Sequence, residues 1–76
     1  MKHEIKRITV NSSNISEIGY DELTKTMEVM FKHGGVYHYS PITQQAYISF
    51  LRSKSKGEFF HQNIIKNKLI HNKKIK

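Results

Sequence analysis

The segment TKTMEVMFKHGGVYHY, residues 24–39, carries the strongest structural pattern in the chain. In its first half, apolar residues alternate with other residues, so that they share one face of an extended backbone. These apolar residues are Met27, Val29 and Phe31. The alternation predicts a half-buried β-strand that belongs to a sheet with one covered face.

A hairpin turn is predicted directly after this strand. Gly34 supplies the positive φ that a tight turn requires. If residues 32–34 form a three-residue loop with a bulge, Tyr37 pairs with Val29, and Tyr39 lies on the same face. A two-residue turn would reverse the facing of both tyrosines, and the residues alone leave this choice open.

Two shorter strands are predicted before the hairpin. Residues 5–10 and 13–20 are rich in β-branched and aromatic side chains, which favour strands. The residues between them, Asn-Ser-Ser-Asn at 11–14, have typical turn chemistry.

A helix is predicted after the hairpin. Ser40 can cap its free backbone N–H groups, and Pro41 is well tolerated at the first helical position. Over residues 41–52 the apolar side chains recur at helical spacing, which predicts a face packed on the sheet. They are Ile42, Ala46, Tyr47, Phe50 and Leu51.

A second helix is predicted from a capping box, in which Ser55 is followed three residues later by Glu58. We expect this helix to fray beyond Asn67. The side chains expected to point inward are Phe60, Ile64 and Leu69.

Together these elements predict an α+β fold. We expect a three- to four-stranded antiparallel β-meander followed by one or two carboxyl-terminal helices packed on the sheet. Residues 1–67 would form a single domain, and residues 68–76 a basic, flexible tail. A chain of 76 residues is near the lower limit for an independent domain, so its core must be thin.

The formal net charge of +7 is confined to one part of the chain. Basic and acidic residues balance over residues 1–50, whereas residues 51–76 contain Glu58 as their one acidic residue. This distribution indicates an anionic partner, although a lysine-rich tail that maintains solubility would give the same composition. The basic residues of this part are Arg52, Lys54, Lys56, Lys66, Lys68, Lys73, Lys74 and Lys76.

Catalytic chemistry is not indicated. The chain has no cysteine, so we expect no disulfide or thiolate metal site, and a reducing compartment such as the cytoplasm of a bacterial host. Its five histidines lack the spacing of metal ligands, and no set of acid, base and nucleophile is recognisable. We therefore expect no enzymatic activity, metal or cofactor. No apolar run is long enough to span a membrane.

Two groups of residues are candidates for binding RNA or another anion. Lys54, Ser55 and Lys56 could hold a phosphate at a helix start, although capping alone would explain Ser55. Tyr37 and Tyr39 could stack nucleobases, with burial in the core as the alternative. The full candidate set is Tyr37, Tyr39, Arg52, Lys54, Ser55, Lys56, Lys66, Lys68, Lys73 and Lys74.

Several segments, taken in order, resemble one known family. They are VNSSNI at 10–15, IGYD at 18–21, TMEV at 26–29, Phe31, Gly34, Tyr37, Tyr39, and SKG at 55–57 followed after one residue by Phe59 and Phe60. The pattern resembles the KTSC domain, which is found at the carboxyl end of some lysyl-tRNA synthetases and also alone in bacteria and phages. Phe59 stands where that family usually has tyrosine, and His61 where it tends to have asparagine.

The resemblance implies a domain of unknown function for which RNA binding has been inferred from its attachment to a synthetase. Our first hypothesis is accordingly a non-enzymatic RNA-binding module that uses the basic carboxyl-terminal half. A second is a phage-encoded inhibitor of a host defence system that binds a host protein or a nucleotide signal; the Lys-, Ile- and Asn-rich composition fits an AT-rich genome. A third is a structural unit that forms a homodimer.

Overall fold

A computed structural model describes residues 5–76 as one antiparallel sheet with helical segments on one face. The strands follow each other in the sheet in sequence order, which confirms the predicted α+β meander and adds a fifth strand to it. The elements are β1 Arg7–Thr9, β2 Ile15–Asp21, β3 Thr26–Phe31, β4 Val36–Ser40, α1 Gln44–Arg52, α2 Lys56–Phe60, a π-helical segment His61–Ile65, and β5 His71–Lys74.

The β3–β4 hairpin has the predicted register. Tyr37 pairs with Val29, and Tyr39 pairs with Met27. The amide of Phe31 donates a hydrogen bond of 3.1 Å to the carbonyl of Gly35, which leaves residues 32–34 as a three-residue loop. Gly34 has a φ of 108°, a conformation that side chains with a Cβ rarely adopt.

Helix α1 begins later than the sequence predicts. Ser40 is the last residue of β4, so its predicted role as the cap is wrong. The cap is Thr43, whose hydroxyl accepts a hydrogen bond of 3.1 Å from the amide of Ala46. Ile42 precedes the helix but is buried, and Phe50 is fully buried on the helical face that meets the sheet.

Helix α2 begins where the sequence predicts, but the predicted capping hydrogen bonds are absent. Ser55 is the residue before the helix, yet its side chain makes no capping hydrogen bond, so the predicted capping box does not form. The hydroxyl of Ser53 bonds locally instead and accepts a hydrogen bond of 3.2 Å from the amide of Ser55. Phe60 and Ile64 point inward as expected, whereas Leu69 is 78% exposed and lies outside the core.

Residues 71–74 form β5, which corrects the expectation of a flexible tail over residues 68–76. This strand pairs antiparallel with β4, with Lys74 opposite Tyr37 and His71 opposite Ser40. The pairing continues past the strand, because the amide of Ile75 donates a hydrogen bond of 2.7 Å to the carbonyl of Val36. The basic end of the chain is therefore an edge of the sheet.

The core lies between the sheet and the helical segments. In β3 and β4 it is built from alternate residues that face α1 and α2, as the two-residue period of strands requires. In β2 a bulge between Ile15 and Glu17 places the buried Ile15 and Ile18 three residues apart. Within residues 5–76, no helix has the length and apolar composition needed to cross a membrane. The buried cluster comprises Ile15, Ile18, Met27, Val29, Tyr39, Ile42, Phe50, Phe60 and Ile64.

Candidate nucleic-acid interface

A cleft of about 350 Å³ lies where the β1–β2 connection meets the start of α2. Its walls are residues 11–14 on one side and residues 54–58 on the other, and we call it the polar cleft. Both walls belong to the segments that carry the family resemblance, although they are far apart in the sequence. The fold thus brings together amide, hydroxyl and ammonium groups that could bond a phosphate.

The first wall is held by local hydrogen bonds. The hydroxyl of Ser12 accepts hydrogen bonds of 3.3 Å from the amides of both Asn14 and Ile15. The carbonyl of Asn14 accepts a bond of 2.9 Å from the amide of Lys32, which ties this loop to the β3–β4 turn. The side chains of Asn11 and Ser13 are thereby carried on an anchored loop at the mouth of the cleft.

The second wall contains three of the predicted binding residues, which differ in their availability. Lys54 and Ser55 are exposed. The Nζ of Lys56 donates a hydrogen bond of 2.9 Å to the carbonyl of Ser53, just past the carboxyl end of α1. A lysine in this place stabilises the helix end. Lys54 is therefore the ammonium group of this wall with the greatest freedom to meet a ligand.

The other predicted basic residues do not join the polar cleft. Lys73 and Lys74 are neighbours on β5, so their side chains leave opposite faces of the sheet. Lys66 and Lys68 flank the turn that leads into β5, and both are exposed. Arg52 is exposed in the last turn of α1. The ion pairs formed between described residues involve Arg7, Glu17, Glu28 and His38, and none of the basic residues after residue 50.

The predicted stacking platform is wrong for Tyr39, which is 5% exposed. Its ring meets that of Phe60 edge to face, with 5.0 Å between centroids. Burial, together with the nearby Tyr37 phenol, raises the pKa of the Tyr39 phenol. Tyr37 is half-buried and contacts Phe31 at 5.6 Å, so it lies at the margin of the core and is not one half of an exposed pair. Both rings therefore pack in the core or at its margin.

A charged cluster on the sheet face opposite the helices was missed by the sequence analysis. The carboxylate of Glu28 accepts a hydrogen bond of 2.6 Å from Arg7 and lies 2.7 Å from Nε2 of His38. Burial raises the pKa of Glu28, but the bonds from His38 and Arg7 outweigh it and leave the pKa below its ordinary value. The predicted pairing of Val29 with Tyr37 already implied this contact, because it sets Glu28 opposite His38.

The cluster joins strands but does not form a metal centre. Glu17 also accepts a hydrogen bond of 2.9 Å from Arg7, so β1, β2, β3 and β4 are linked across one face. Among residues 5–76, no group of three or more His, Asp or Glu side chains is arranged to hold a metal ion.

Comparison with known proteins gives consistent results for sequence and fold. The KTSC domain pattern matches residues 11–68. An uncharacterized protein of Stutzerimonas stutzeri (strain A1501) is 31% identical over 58 residues, which is 76% of this chain and 82% of that protein. The crystal structure of a KTSC domain protein from Yersinia pestis has a TM-score of 0.85 and 36% identity, over 96% of this chain and 100% of that one.

Proposed function

The chain is a member of the KTSC domain family, and from that premise we propose that it binds RNA through phosphate contacts without catalysing a reaction. The supporting observation is the one-sided charge. The whole net charge of +7 derives from residues after 50, and those basic residues form no ion pair with a described residue. Basic side chains without such acidic partners attract a polyanion.

The polar cleft is the part of this surface best suited to a single phosphate. Lys54 supplies a charge there. The serine hydroxyl groups and asparagine side-chain amides of residues 11–14, together with the hydroxyl of Ser55, supply neutral donors. Lys66 and Lys68 before β5, together with one of the two lysines of β5, would meet further phosphates along a strand; Lys73 and Lys74 cannot both take part, because their side chains leave opposite faces of the sheet. Phosphate contacts of this kind give affinity with little sequence preference.

Salt dependence tests the proposal directly. We expect the chain to bind a fluorescein-labelled single-stranded RNA of about 20 nucleotides, with an affinity that falls linearly against salt on logarithmic axes. The slope should be about −0.7 for each phosphate neutralised. Fluorescence anisotropy between about 50 and 200 mM salt covers the range in which such binding weakens steeply.

Two single substitutions distinguish RNA binding in the polar cleft from a general effect of positive charge on affinity. Lys54→Gln should reduce the affinity and flatten the salt slope by about one contact. Lys25→Gln removes the same charge from an exposed position in the β2–β3 turn and should have a smaller effect. Equal effects of both substitutions would leave the cleft without a special role. No binding at the lowest salt would reject the RNA proposal and direct attention to a protein partner.

A further inference from the structure

The two edges of the sheet differ in charge. The β5 edge contains Lys73 and Lys74, and lysine on an edge strand opposes pairing with another chain. The β1 edge, Arg7–Thr9, has one charged side chain, and that side chain is bound to Glu17 and Glu28 of the same chain. Within Arg7–Thr9 the β1 edge therefore lacks the free charges of the β5 edge, and the exposed Lys6 lies just before it.

The backbone of β1 presents hydrogen-bonding groups outward at two residues. The amide of Val10 donates a hydrogen bond of 3.2 Å to the carbonyl of Ser16, which makes these residues a hydrogen-bonded pair. Such pairs alternate along antiparallel strands, so Ile8 bonds inward to Ile18, its partner in the register. The N–H and C=O groups of Arg7 and Thr9 then point away from β2.

Exposed apolar side chains lie beside this edge. Ile8 is 52% exposed and faces the helical side of the sheet, because its partner Ile18 is a core residue. Lys6, two residues away, borders a cleft of about 380 Å³ whose other walls include Tyr47 and Ile48. Ile48 is itself 41% exposed. A partly apolar surface next to a strand edge with outward backbone groups is suited to another strand that carries an apolar residue.

We propose that two copies of the chain associate through β1, antiparallel, about a twofold axis at Ile8. This register sets Arg7 of each copy opposite Thr9 of the other, so that the outward groups of both residues form four backbone hydrogen bonds. The two Ile8 side chains meet on the helical side at a non-hydrogen-bonded position, where side chains approach closely. The two sheets become one continuous sheet.

The distribution of charge favours this edge for self-association. In the proposed register, Arg7 of one copy and Glu17 of the other lie in the same row, separated by the neutral Thr9, so no like charges stand directly opposite each other in Arg7–Thr9. The excess positive charge lies after residue 50, and β5 is at the opposite edge of the sheet. Two chains of net charge +7 that meet at β1 therefore keep the lysines of their β5 strands apart.

Cysteine cross-linking tests the register, because the natural chain has no cysteine. Ile8→Cys would place two thiols at a pair whose Cα atoms are about 4.5 Å apart, which suits a disulfide. Thr9→Cys would leave about 8 Å between Cα atoms, which is too far. We expect cross-linked dimer to predominate for Ile8→Cys under mild oxidation and to remain minor for Thr9→Cys. Equal cross-linking of the two variants would overturn the register.

Light scattering of the unmodified full chain tests the association without RNA. We expect a mass above the 9.0 kDa of one chain that rises toward twice that value at about 1 mM, as for a small, weak interface. Thr9→Pro removes an outward N–H, which an edge strand tolerates, and should keep the fold while abolishing the rise. A monomeric mass at the highest concentration, with no cross-linking of Ile8→Cys, would reject the proposal whatever the outcome for RNA.

Discussion

Nε2 of His38 lies 2.7 Å from a carboxylate oxygen of Glu28, its neighbour on the adjacent strand. The other oxygen of the same carboxylate accepts a hydrogen bond of 2.6 Å from Arg7 on β1. The side chain of Glu28 is only 12% exposed. A single carboxylate therefore connects an edge strand to the centre of the sheet, and its removal would take from His38 this partner and leave Arg7 bonded to Glu17 alone.

Glu28→Gln tests this connection through its dependence on pH. The folded pKa of Glu28 lies below its ordinary value of 4.5, so its contribution is fully present above about pH 4.5 and is lost as the pH falls through the folded pKa. We expect the substitution to cost about 1 to 3 kcal/mol at neutral pH, and the difference to shrink in acid. Thermal unfolding of the unmodified chain and of Glu28→Gln between about pH 3 and 7 measures this difference in stability.

Glu17→Gln is the matched control for that measurement. Glu17 also binds Arg7, but its side chain is 35% exposed, so solvent screens the pair. We expect a loss below about 1 kcal/mol at neutral pH. A Glu28→Gln variant that loses no more than this control, at any pH, would show that the buried carboxylate contributes nothing special.

Gly19→Ala tests a close approach between β2 and the residues before β1. A Cβ at Gly19 would lie 2.5 Å from the backbone oxygen of Lys6 and 2.6 Å from Cγ2 of Ile5. Because a backbone atom cannot give way as a flexible side chain does, we expect a loss of about 1 to 3 kcal/mol. Gly57→Ala is the control, since a Cβ there meets nothing within 4 Å and alanine favours the helix. In urea unfolding we expect Gly19→Ala to be clearly less stable than Gly57→Ala. Equal stability of the two variants would contradict the close approach at Gly19.

Phe50→Ala tests the packing of α1 on the sheet. Phe50 is fully buried, and its ring lies 6.0 Å from Phe59 and 6.4 Å from Phe60. We expect a loss of about 3 to 5 kcal/mol, which is enough to unfold much of a domain this small. Leu69→Ala should change stability by less than about 0.5 kcal/mol, because Leu69 is 78% exposed. Circular dichroism on heating distinguishes these results.

Truncation after Asn67 tests whether β5 belongs to the folded domain. With a flexible tail, stability would be unchanged, but the pairing of β5 with β4 leads us to expect a lower melting temperature. The double variant Lys73→Gln, Lys74→Gln keeps the strand while it removes two charges. We expect the double variant to be nearly as stable as the unmodified chain. If the truncated chain and the double variant have equally lowered melting temperatures, the effect of truncation is due to the lost charge and not to the lost strand.

The β3–β4 hairpin could be predicted from sequence because its signals are local. The alternation in β3 and the glycine at position 34 located the hairpin, and the three-residue loop, one of two turns that the residues left open, gives the observed pairing of Tyr37 with Val29. The same register contained the Glu28–His38 contact, which could have been found by counting one residue further.

The features that sequence missed depend on distant parts of the chain. The four residues His-Asn-Lys-Lys of β5 contain no apolar residue and have no pattern typical of a strand. These residues form a strand because β4 offers an edge for pairing. The polar cleft escaped detection for a similar reason, since residues 11–14 reach residues 54–58 only in the folded chain. The helix start at Thr43 depends on a hydroxyl three residues beyond the one that the sequence favoured.

The order of the strands has a consequence for folding kinetics. The pairs β1–β2, β2–β3 and β3–β4 each join consecutive strands through short turns, so they can form early with a small loss of chain entropy. β5 is instead separated from β4 by α1, α2 and the π-helical segment, so its pairing with β4 closes a much longer loop and is expected to form later. Until it arrives, the edge of β4 is open to strands of other molecules, and the interval before β5 docks is the period in which the folding chain is most exposed to aggregation.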